Sequence, residues 1–161
     1  MAEREDVAEA IARRLVERGE SVAVAESAAG GLIAAALLGV AGASAYFKGG
    51  VVVYNADGKQ RLAGMTPEEL EAHRPSTARH TAMLARAIRD RLGSSWAVAE
   101  TGAAGPTGNR YGDAPGHAAL AVSGAVERTQ VIETGEGDRR HNMEAFALAA
   151  LRLLQSSIEG K

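Results

Sequence analysis

The chain contains no cysteine among its 161 residues, which excludes disulfide bonds, thiolate catalysis and cysteine-ligated zinc. Aromatic residues make up only 4% of the chain, so the core must be built mostly from alanine, leucine and valine. The longest apolar stretch, Gly31–Ala43, is shorter than the roughly 20 residues that a helix needs to cross a bilayer. We therefore expect no membrane partner.

Charges of both signs are spread along the chain, with a formal net charge of −2 and no long basic run. This balance argues against a nucleic-acid partner. The N-terminal sequence MAEREDVAEAIARRL carries acidic residues and lacks the apolar core of a signal peptide, which together with the missing cysteines predicts a cytoplasmic protein. Because neither repeats nor a linker interrupt the chain, we predict one domain over residues 1–161.

Helical and strand patterns alternate over the first two thirds of the chain. The predicted elements are a helix ending near Arg18, a strand at Ser21–Ala25, a helix at Leu32–Leu38, a strand at Gly49–Tyr54, a short helix at Asp57–Leu62, a helix beginning at Thr66 and Pro67, a helix at Ser76–Leu92, a strand at Ser95–Glu100, a loop at Thr101–Pro115, strands at His117–Ser123 and Val126–Glu133, and a helix at Asp138–Gln155. This order predicts an α/β fold whose mixed sheet is covered by helices on both faces.

Ser27 follows the first predicted strand and precedes a helix that begins after Gly30 and Gly31. In open α/β sheets this carboxyl edge is where ligands bind. Free backbone N–H groups and the positive end of a helix dipole also favour an anion such as phosphate there. Ser27 is therefore the candidate reactive group, although serine is common at this place simply as a helix N-cap, and the residues alone favour that role.

Four segments, AESAAGGLIAAAL, Phe47–Lys59, Glu100–Gly108 and Gly137–Arg139, resemble in order and spacing the CinA C-terminal domain family. Its enzymatic members are nicotinamide mononucleotide amidohydrolases. The resemblance implies a three-layer α/β/α sandwich with a mixed, mostly parallel sheet, and a chain that associates with itself, most simply as a homodimer. It also implies hydrolysis of the substrate carboxamide to nicotinate mononucleotide and ammonia. Because the spacing of the histidines offers no metal site, we expect neither a metal nor a cofactor.

The family's serine nucleophile corresponds to Ser27, and a serine nucleophile needs a nearby base. None of the four histidines has a recognisable triad spacing. The segment VVYNADGK is similar to the family's V-x-Y-S-N-E-x-K, so Tyr54 and Lys59 are the candidates for proton transfer. The alternative roles are an edge tyrosine and a solvated surface lysine; a lysine kept neutral by burial could accept the serine proton.

The candidate substrate-binding residues surround Ser27 in the predicted topology. They are Glu26, Gly30, Gly31, Thr101, Gly102, Gly105, Arg110 and Arg139. Backbone amides after Ser27 or in the Thr101–Gly105 segment are expected to stabilise an oxyanion. The resemblance assigns Arg139 to the phosphate, with a surface helix-start residue as the alternative. Arg110 belongs to a loop that either covers the ligand or is simply solvated.

Glu26 and Glu100 each end a predicted strand at the same sheet edge, where they could orient the amide, bind ribose hydroxyls or only cap. The chain departs from the family at two places: Ala29 replaces a threonine, and the arginine that tends to follow G-D-R by about four residues is missing. Arg140 or Arg110 could supply that phosphate contact instead. These departures motivate a second hypothesis, an inactive nucleotide- or phosphate-binding module. A third hypothesis is a scaffold whose turns serve only dimer packing.

Overall fold

The computed structural model describes all residues from Met1 to Lys161. In chain order the elements are α1 (Ala2–Arg18), β1 (Val22–Glu26), α2 (Leu32–Leu38), a 3-10 turn (Ala43–Ala45), β2 (Phe47–Val52), α3 (Ala56–Gly58), a π turn (Lys59–Ala63), α4 (Pro67–Ala72), α5 (Ala78–Leu92), β3 (Trp96–Ala103), β4 (His117–Ser123), β5 (Arg128–Glu133) and α6 (Arg139–Glu159). None of these helices combines the length and the apolar character that crossing a bilayer requires.

The strands form one five-stranded sheet in the order β2-β1-β3-β4-β5. Strand β1 pairs in parallel with both β2 and β3, whereas β4 is antiparallel to both β3 and β5. Consequently β4 alone runs against the other strands. The predicted mixed, mostly parallel sheet is confirmed, and so is the hairpin that joins β4 to β5.

Alternating side chains of the sheet pack against two different groups of helices. Val22 and Val24 of β1 belong to a cluster with residues of α1, α2 and α6. Ala23 and Ala25 belong to a second cluster with residues of α5. Because successive side chains of a strand point to opposite faces, the helices must cover both faces of the sheet. The three-layer α/β/α sandwich is therefore confirmed.

Several local signals in the sequence end and begin helices where the patterns predict. Gly19 ends α1 in the left-handed region with a φ of 64°, which a residue without a Cβ adopts freely. Thr66 and Glu69 form a capping box ahead of α4, with Pro67 in its first turn. These short-range interactions need no tertiary partner, which explains why the sequence shows them.

Three of the predicted boundaries that differ from the structure lie at the site, at the ends of β2 and β3 and at the start of α5. Strand β2 ends at Val52, so Tyr54 lies beyond the strand rather than at its end. Strand β3 runs on to Ala103, because its last residues still pair with β4. Helix α5 begins at Ala78 instead of Ser76, since Ser76 has a φ of 63° and cannot join a right-handed helix.

Candidate active site

One cavity of about 430 Å³ lies at the carboxyl end of β1 and β3. The residues that line it come from both of those strands' ends, from the β2–α4 segment, from the start of α5 and from the loop after β3. They are Ser27, Tyr54, Asn55, Ala56, Lys59, Leu70, Pro75, Ser76, His80, Thr101, Gly102, Asn109, Arg110 and Tyr111. All three predicted catalytic residues are thus in its wall.

Ser27 follows β1 directly, and its side chain lines the cavity without capping a helix. Helix α2 begins only at Leu32, and its N-cap is Gly31, which makes no side-chain cap. The alternative role of Ser27 as an N-cap is therefore wrong. Ser27 is only 8% exposed, so its hydroxyl lies in a recessed position at the cavity wall.

Glu26 takes the capping role and does not line the cavity. Its Oε1 accepts hydrogen bonds from the N–H groups of Gly31 and Ile33 at 2.8 and 3.1 Å, and its Oε2 accepts one from Ala34 at 2.9 Å. These are the N-terminal N–H groups of α2 that were expected to hold a phosphate. An internal carboxylate already satisfies them, so the expected phosphate site at this helix is wrong. Burial raises the pKa of Glu26, and the three backbone donors oppose that rise.

Glu100 occupies the second group of free amides in the turn after β1. Its Oε2 accepts hydrogen bonds from the N–H groups of Ser27 at 3.1 Å and Ala29 at 2.8 Å. Burial raises the pKa of Glu100 to about 7, although the backbone donors lower it. The amides of Ser27 and Ala29 therefore already have an acceptor. Since β3 continues past Glu100, the prediction that Glu100 ends its strand is wrong.

Lys59 begins the π turn and is only 3% exposed, which rules out a solvated surface lysine. Burial lowers the pKa of its ammonium group to about 8, while the charge of Glu100 acts in the opposite direction. An amine with a pKa this close to neutrality is a suitable general base.

Tyr54 and Arg139 contact each other at the rim of the cavity. Tyr54 is 66% exposed, and its hydroxyl accepts a hydrogen bond from Nη2 of Arg139 at 3.1 Å. Arg139 Nη1 donates to the carbonyl oxygen of Gly105 at 2.6 Å. Arg139 and Gly105 do not line the cavity. Arg139 therefore ties the start of α6 to the loop after β3, instead of extending into the cavity.

The glycines after Ser27 shape the turn and likewise do not line the cavity. Gly30 and Gly31 have φ values of 67° and 102°, which favour residues without a Cβ. A Cβ at Gly30 would come within 2.7 Å of the Met143 side chain on α6. These two glycines allow β1 to turn into α2 under α6, so that Ser27 is left facing the cavity.

Thr101 lies inside β3, and its hydroxyl is fully used within the protein. Its Oγ1 accepts a hydrogen bond from the Ser76 N–H at 3.0 Å and lies 2.7 Å from Oγ1 of Thr81. Because the Thr81 hydroxyl donates to the carbonyl oxygen of Thr77, the Thr101 hydroxyl is the donor to Thr81. Thr101 thereby fixes Ser76 in its left-handed conformation. Gly102 borders the cavity, and a Cβ there would lie 2.6 Å from the His117 carbonyl oxygen.

His80 and Ser76 line the cavity but were missed by the sequence analysis. His80 is fully buried; its Nδ1–H donates to the carbonyl oxygen of His73 at 3.0 Å, and its Nε2 has no partner. Burial and the nearby Lys59 lower its pKa to about 4, so the ring is neutral at pH 7. Triad spacing does not single out His80, whereas its place in the first turn of a helix after the Pro75-Ser76 break is a local signal in the sequence.

The Asn109–Gly116 loop is held against the segment before α5. Asp113 accepts a bidentate interaction from Arg74, with distances of 2.8 and 3.1 Å, and a hydrogen bond from Nδ2 of Asn109 at 2.8 Å. Two guanidinium groups lie over the Tyr111 ring, that of Arg74 at 5.2 Å and that of Arg110 at 5.0 Å from the ring centroid. The sequence left the loop as either a cover or a solvated segment, and these contacts fix it along one side of the cavity.

His117 connects this loop region to Ser76 and requires both ring nitrogens to donate. Nδ1 lies 2.5 Å from Oε1 of Glu133, and Nε2 lies 2.8 Å from the carbonyl oxygen of Ser76. A carbonyl and a carboxylate can only accept, so the ring is a cationic imidazolium. Burial lowers the pKa of His117, but Glu133, the Ser76 carbonyl and Asp113 outweigh it and raise the pKa overall.

We expect the His117→Gln variant to lose more stability at pH 6 than at pH 9. A group whose pKa is raised on folding stabilises the folded state below its unfolded pKa, and this contribution disappears as the pH rises through the folded pKa. The loss at pH 6 should exceed that at pH 9 by about 1 kcal/mol, which is less than the roughly 1.5–3 kcal/mol of a hydrogen bond to a charged group because the Glu133 side chain is exposed to solvent. Urea unfolding at both pH values measures it, with the exposed His141→Gln variant as the control. Equal losses at both pH values would contradict a charged His117.

Comparisons with known proteins give one consistent result for the whole chain. The family model described as the CinA C-terminal domain matches residues 4–158. A CinA-like protein from Anaeromyxobacter sp. (strain K) is 36% identical over 155 residues, which cover 96% of this chain and 38% of that protein. This chain therefore spans less than two fifths of the length of that relative.

Solved structures with the same fold match over nearly their full length. A CinA superfamily protein from Klebsiella pneumoniae has a TM-score of 0.90 at 26% sequence identity, covering 98% of this chain and 99% of that one. The competence/damage inducible protein CihA from Agrobacterium tumefaciens has a TM-score of 0.89 at 30% identity, covering 98% of this chain and 96% of that one.

Proposed function

The chain belongs to the CinA C-terminal domain family, and from this we propose that it hydrolyses the carboxamide of nicotinamide mononucleotide. The products would be nicotinate mononucleotide and ammonia. The observation that carries the proposal is the presence of Ser27 and Lys59, two buried groups of complementary chemistry, in the wall of one cavity. A recessed hydroxyl and an amine with a pKa of about 8 are a nucleophile and a base suited to amide hydrolysis.

In the proposed reaction the Ser27 hydroxyl oxygen bonds to the carboxamide carbon while its proton passes to neutral Lys59. The carbon–nitrogen bond then breaks, and Lys59 returns the proton to the leaving nitrogen, which departs as ammonia. Water attacks the resulting ester, and its proton returns by way of Lys59 to the Ser27 oxygen as the acid leaves. Between the two proposed proton carriers we favour Lys59, because Tyr54 is exposed and its hydroxyl is bound to Arg139.

Oxyanion stabilisation in this proposal comes from β3 rather than from the turn after β1. The amides of Ser27 and Ala29 already donate to Glu100. Strand β1 ends at Glu26, opposite Glu100, so the β3 backbone at Gly102 has no strand partner on that side. Gly102 also lines the cavity. Its backbone is therefore our choice for contacting the developing negative charge.

The experiment that tests the proposal is incubation of the purified protein with nicotinamide mononucleotide, followed by quantification of both products. Ammonia measured enzymatically and nicotinate mononucleotide measured by mass spectrometry should appear in equal amounts. Release of free nicotinamide instead would mean that the glycosidic bond is cleaved, which would overturn the proposal. The homodimer expected from the resemblance stays a prediction.

Arg110 is our choice for the phosphate, since Arg139 is engaged elsewhere and Arg110 lines the cavity. We expect Arg110→Ala to raise the KM for nicotinamide mononucleotide about 10-fold with little change in kcat, because an exposed charge-assisted contact contributes about 1.5 kcal/mol. Arg140→Ala is the matched control, as Arg140 lies at the start of α6 outside the cavity. Nicotinamide riboside, which lacks the phosphate, should show no such effect; an equal effect on both compounds would contradict the phosphate role.

A non-catalytic nucleotide-binding module is the second candidate function. The observation that favours it is the Glu100 carboxylate, which fills the amides next to Ser27 that an oxyanion would otherwise use. This hypothesis predicts that nicotinamide mononucleotide raises the melting temperature without any release of ammonia. Turnover by the wild-type protein would exclude it.

A further inference from the structure

Glu100 is a fully buried carboxylate beside the proposed nucleophile, and the reaction as described above does not use it. Its Oε2 accepts from two N–H groups of the turn that carries Ser27. Its Oε1 is buried and has no hydrogen-bond partner. A buried oxygen of an acidic group left without a partner is costly unless a nearby charge or a bound proton compensates it.

Three titratable groups bear on the charge of Glu100: Glu26, His80 and Lys59. Glu26 is its register partner on β1, but three N–H groups of α2 already satisfy that carboxylate. His80 on α5 is neutral and lies near Lys59. Lys59 itself interacts with Glu100 through their opposite charges rather than through a direct hydrogen bond. Lys59 is therefore the group that can exchange a proton with the reaction and respond to the charge of Glu100.

We propose that Glu100 is a positioning residue of this site, which holds the Ser27 turn by its Oε2 and shares with Lys59 the single proton that prepares the base. This inference rests on the proposed amidohydrolase function. When the pair holds one proton, two forms exist: an ammonium with a carboxylate, and a neutral amine with a carboxylic acid. The second form leaves Lys59 free to accept the Ser27 proton, while the proton on Glu100 stays in place throughout the step.

The energetics of such a pair follow from the burial of both groups. The pKa of Glu100 is raised to about 7 and that of Lys59 is lowered to about 8. Because these two pKa values lie so close together, the two groups exchange protons over the same range of pH. Removing the negative charge of Glu100 must then lower the pKa of Lys59, because an opposite charge nearby favours the ammonium form.

The test compares Glu100→Gln with Glu100→Asp. Glutamine keeps an acceptor oxygen for the Ser27 and Ala29 amides but removes the negative charge. The ascending limb of the plot of kcat/KM against pH should therefore move to lower pH by about one pH unit. Aspartate keeps the charge on a side chain one methylene shorter, so kcat should fall while the limb stays near its wild-type position. A Gln variant with an unmoved limb would show that Glu100 is only a structural acceptor, which overturns the inference.

A measurement without turnover separates this inference from the proposed function. The chain has three lysines, Lys48, Lys59 and Lys161, so ¹³C-lysine NMR resolves Lys59, identified by its absence in Lys59→Met. Its pKa should be lower in Glu100→Gln than in the wild type even if nicotinamide mononucleotide is not a substrate. An unchanged pKa in a protein that does release ammonia would overturn the role of Glu100 and leave the function standing.

If the Gln variant does not fold, ¹³C-glutamate NMR of the wild type decides, because a Glu100 that titrates near the ordinary value of about 4.3 contradicts the shared proton.

Discussion

Ser27→Ala should reduce ammonia release from nicotinamide mononucleotide by about 10³-fold or more, as expected when the nucleophile of a covalent mechanism is removed. The hydroxyl lies in the cavity wall and neither caps α2 nor supports another element through its side chain. Its loss should therefore leave the fold and the ligand affinity nearly unchanged. Steady-state ammonia release measures the first effect, and the thermal shift produced by the substrate measures the second.

A matched control for Ser27→Ala is Ser44→Ala, which removes an exposed hydroxyl on the 3-10 turn outside the cavity. This variant should keep wild-type turnover. If Ser27→Ala also kept wild-type turnover, a water molecule rather than Ser27 would be the attacking group, and the covalent mechanism would be wrong. An acyl adduct on Ser27, detected by mass spectrometry after rapid quenching, would support the serine directly.

Lys59→Met should lower kcat/KM by roughly 10²- to 10⁴-fold, the usual contribution of a general base, and at the same time stabilise the protein. Burial lowers the pKa of Lys59 to about 8, below its unfolded value of about 10.4. Below pH 8 the folded state therefore bears a buried charge that methionine removes, whereas above the unfolded pKa that penalty is absent. We expect a gain on the order of 2 kcal/mol at pH 7, which diminishes towards pH 10.5.

Activity and urea unfolding at the two pH values test both parts of this prediction. Tyr54→Phe is the control, because the Tyr54 hydroxyl is exposed and its contact with Arg139 lies at the rim. It should change kcat only slightly. A large loss in Tyr54→Phe together with an active Lys59→Met would reverse the assignment of the proton carrier. In the wild type, kcat/KM should rise with pH up to about 8, as Lys59 becomes neutral.

The opposite effects on activity and stability are typical of a buried charge kept for catalysis. Burying the Lys59 ammonium without a hydrogen-bonded carboxylate lowers stability, because the charge of Glu100 offsets only part of the cost of burial. A function of the neutral amine accounts for a cost of this kind. If Lys59 had a purely structural role, its replacement by methionine would instead lower the stability of the protein. The change in stability therefore distinguishes the two roles without reference to the substrate's identity.

Much of the fold could be predicted from the sequence because its signals are local. The apolar periodicity of α1 and α5, the left-handed Gly19 and the capping box of Thr66 depend on residues a few positions apart. The order of helices and strands then restricts the topology to a layered sheet with a late hairpin. Ser27, Lys59 and Arg110, which the sequence predicts as site residues, border one cavity.

The sequence could not show how the carboxylates are used. Glu26 and Glu100 look alike in the chain, since each follows a run of small apolar residues. Glu26 caps α2, whereas Glu100 reaches across to the turn after the neighbouring strand. The distinction depends on which N–H groups face each side chain once β1 and β3 are paired in register. The expected phosphate contact of Arg139 failed for a similar reason. Nothing near Arg139 in the sequence reveals that its guanidinium contacts the carbonyl oxygen of Gly105.

By itself the sequence determined the class of fold, the place of Ser27 at a strand end and the family. These depend on the hydrophobic periodicity, the positions of glycines and the order of motifs, all of which can be read from the linear order of the residues. The tertiary structure alone decided the burial of Lys59, the neutral state of His80, the hydrogen bond of His117 to Ser76 and the contact of Glu100 with the Ser27 turn. Each of these is a property of groups far apart in the chain, because protonation and hydrogen bonding depend on what surrounds a side chain after the sheet and its helices have closed over it.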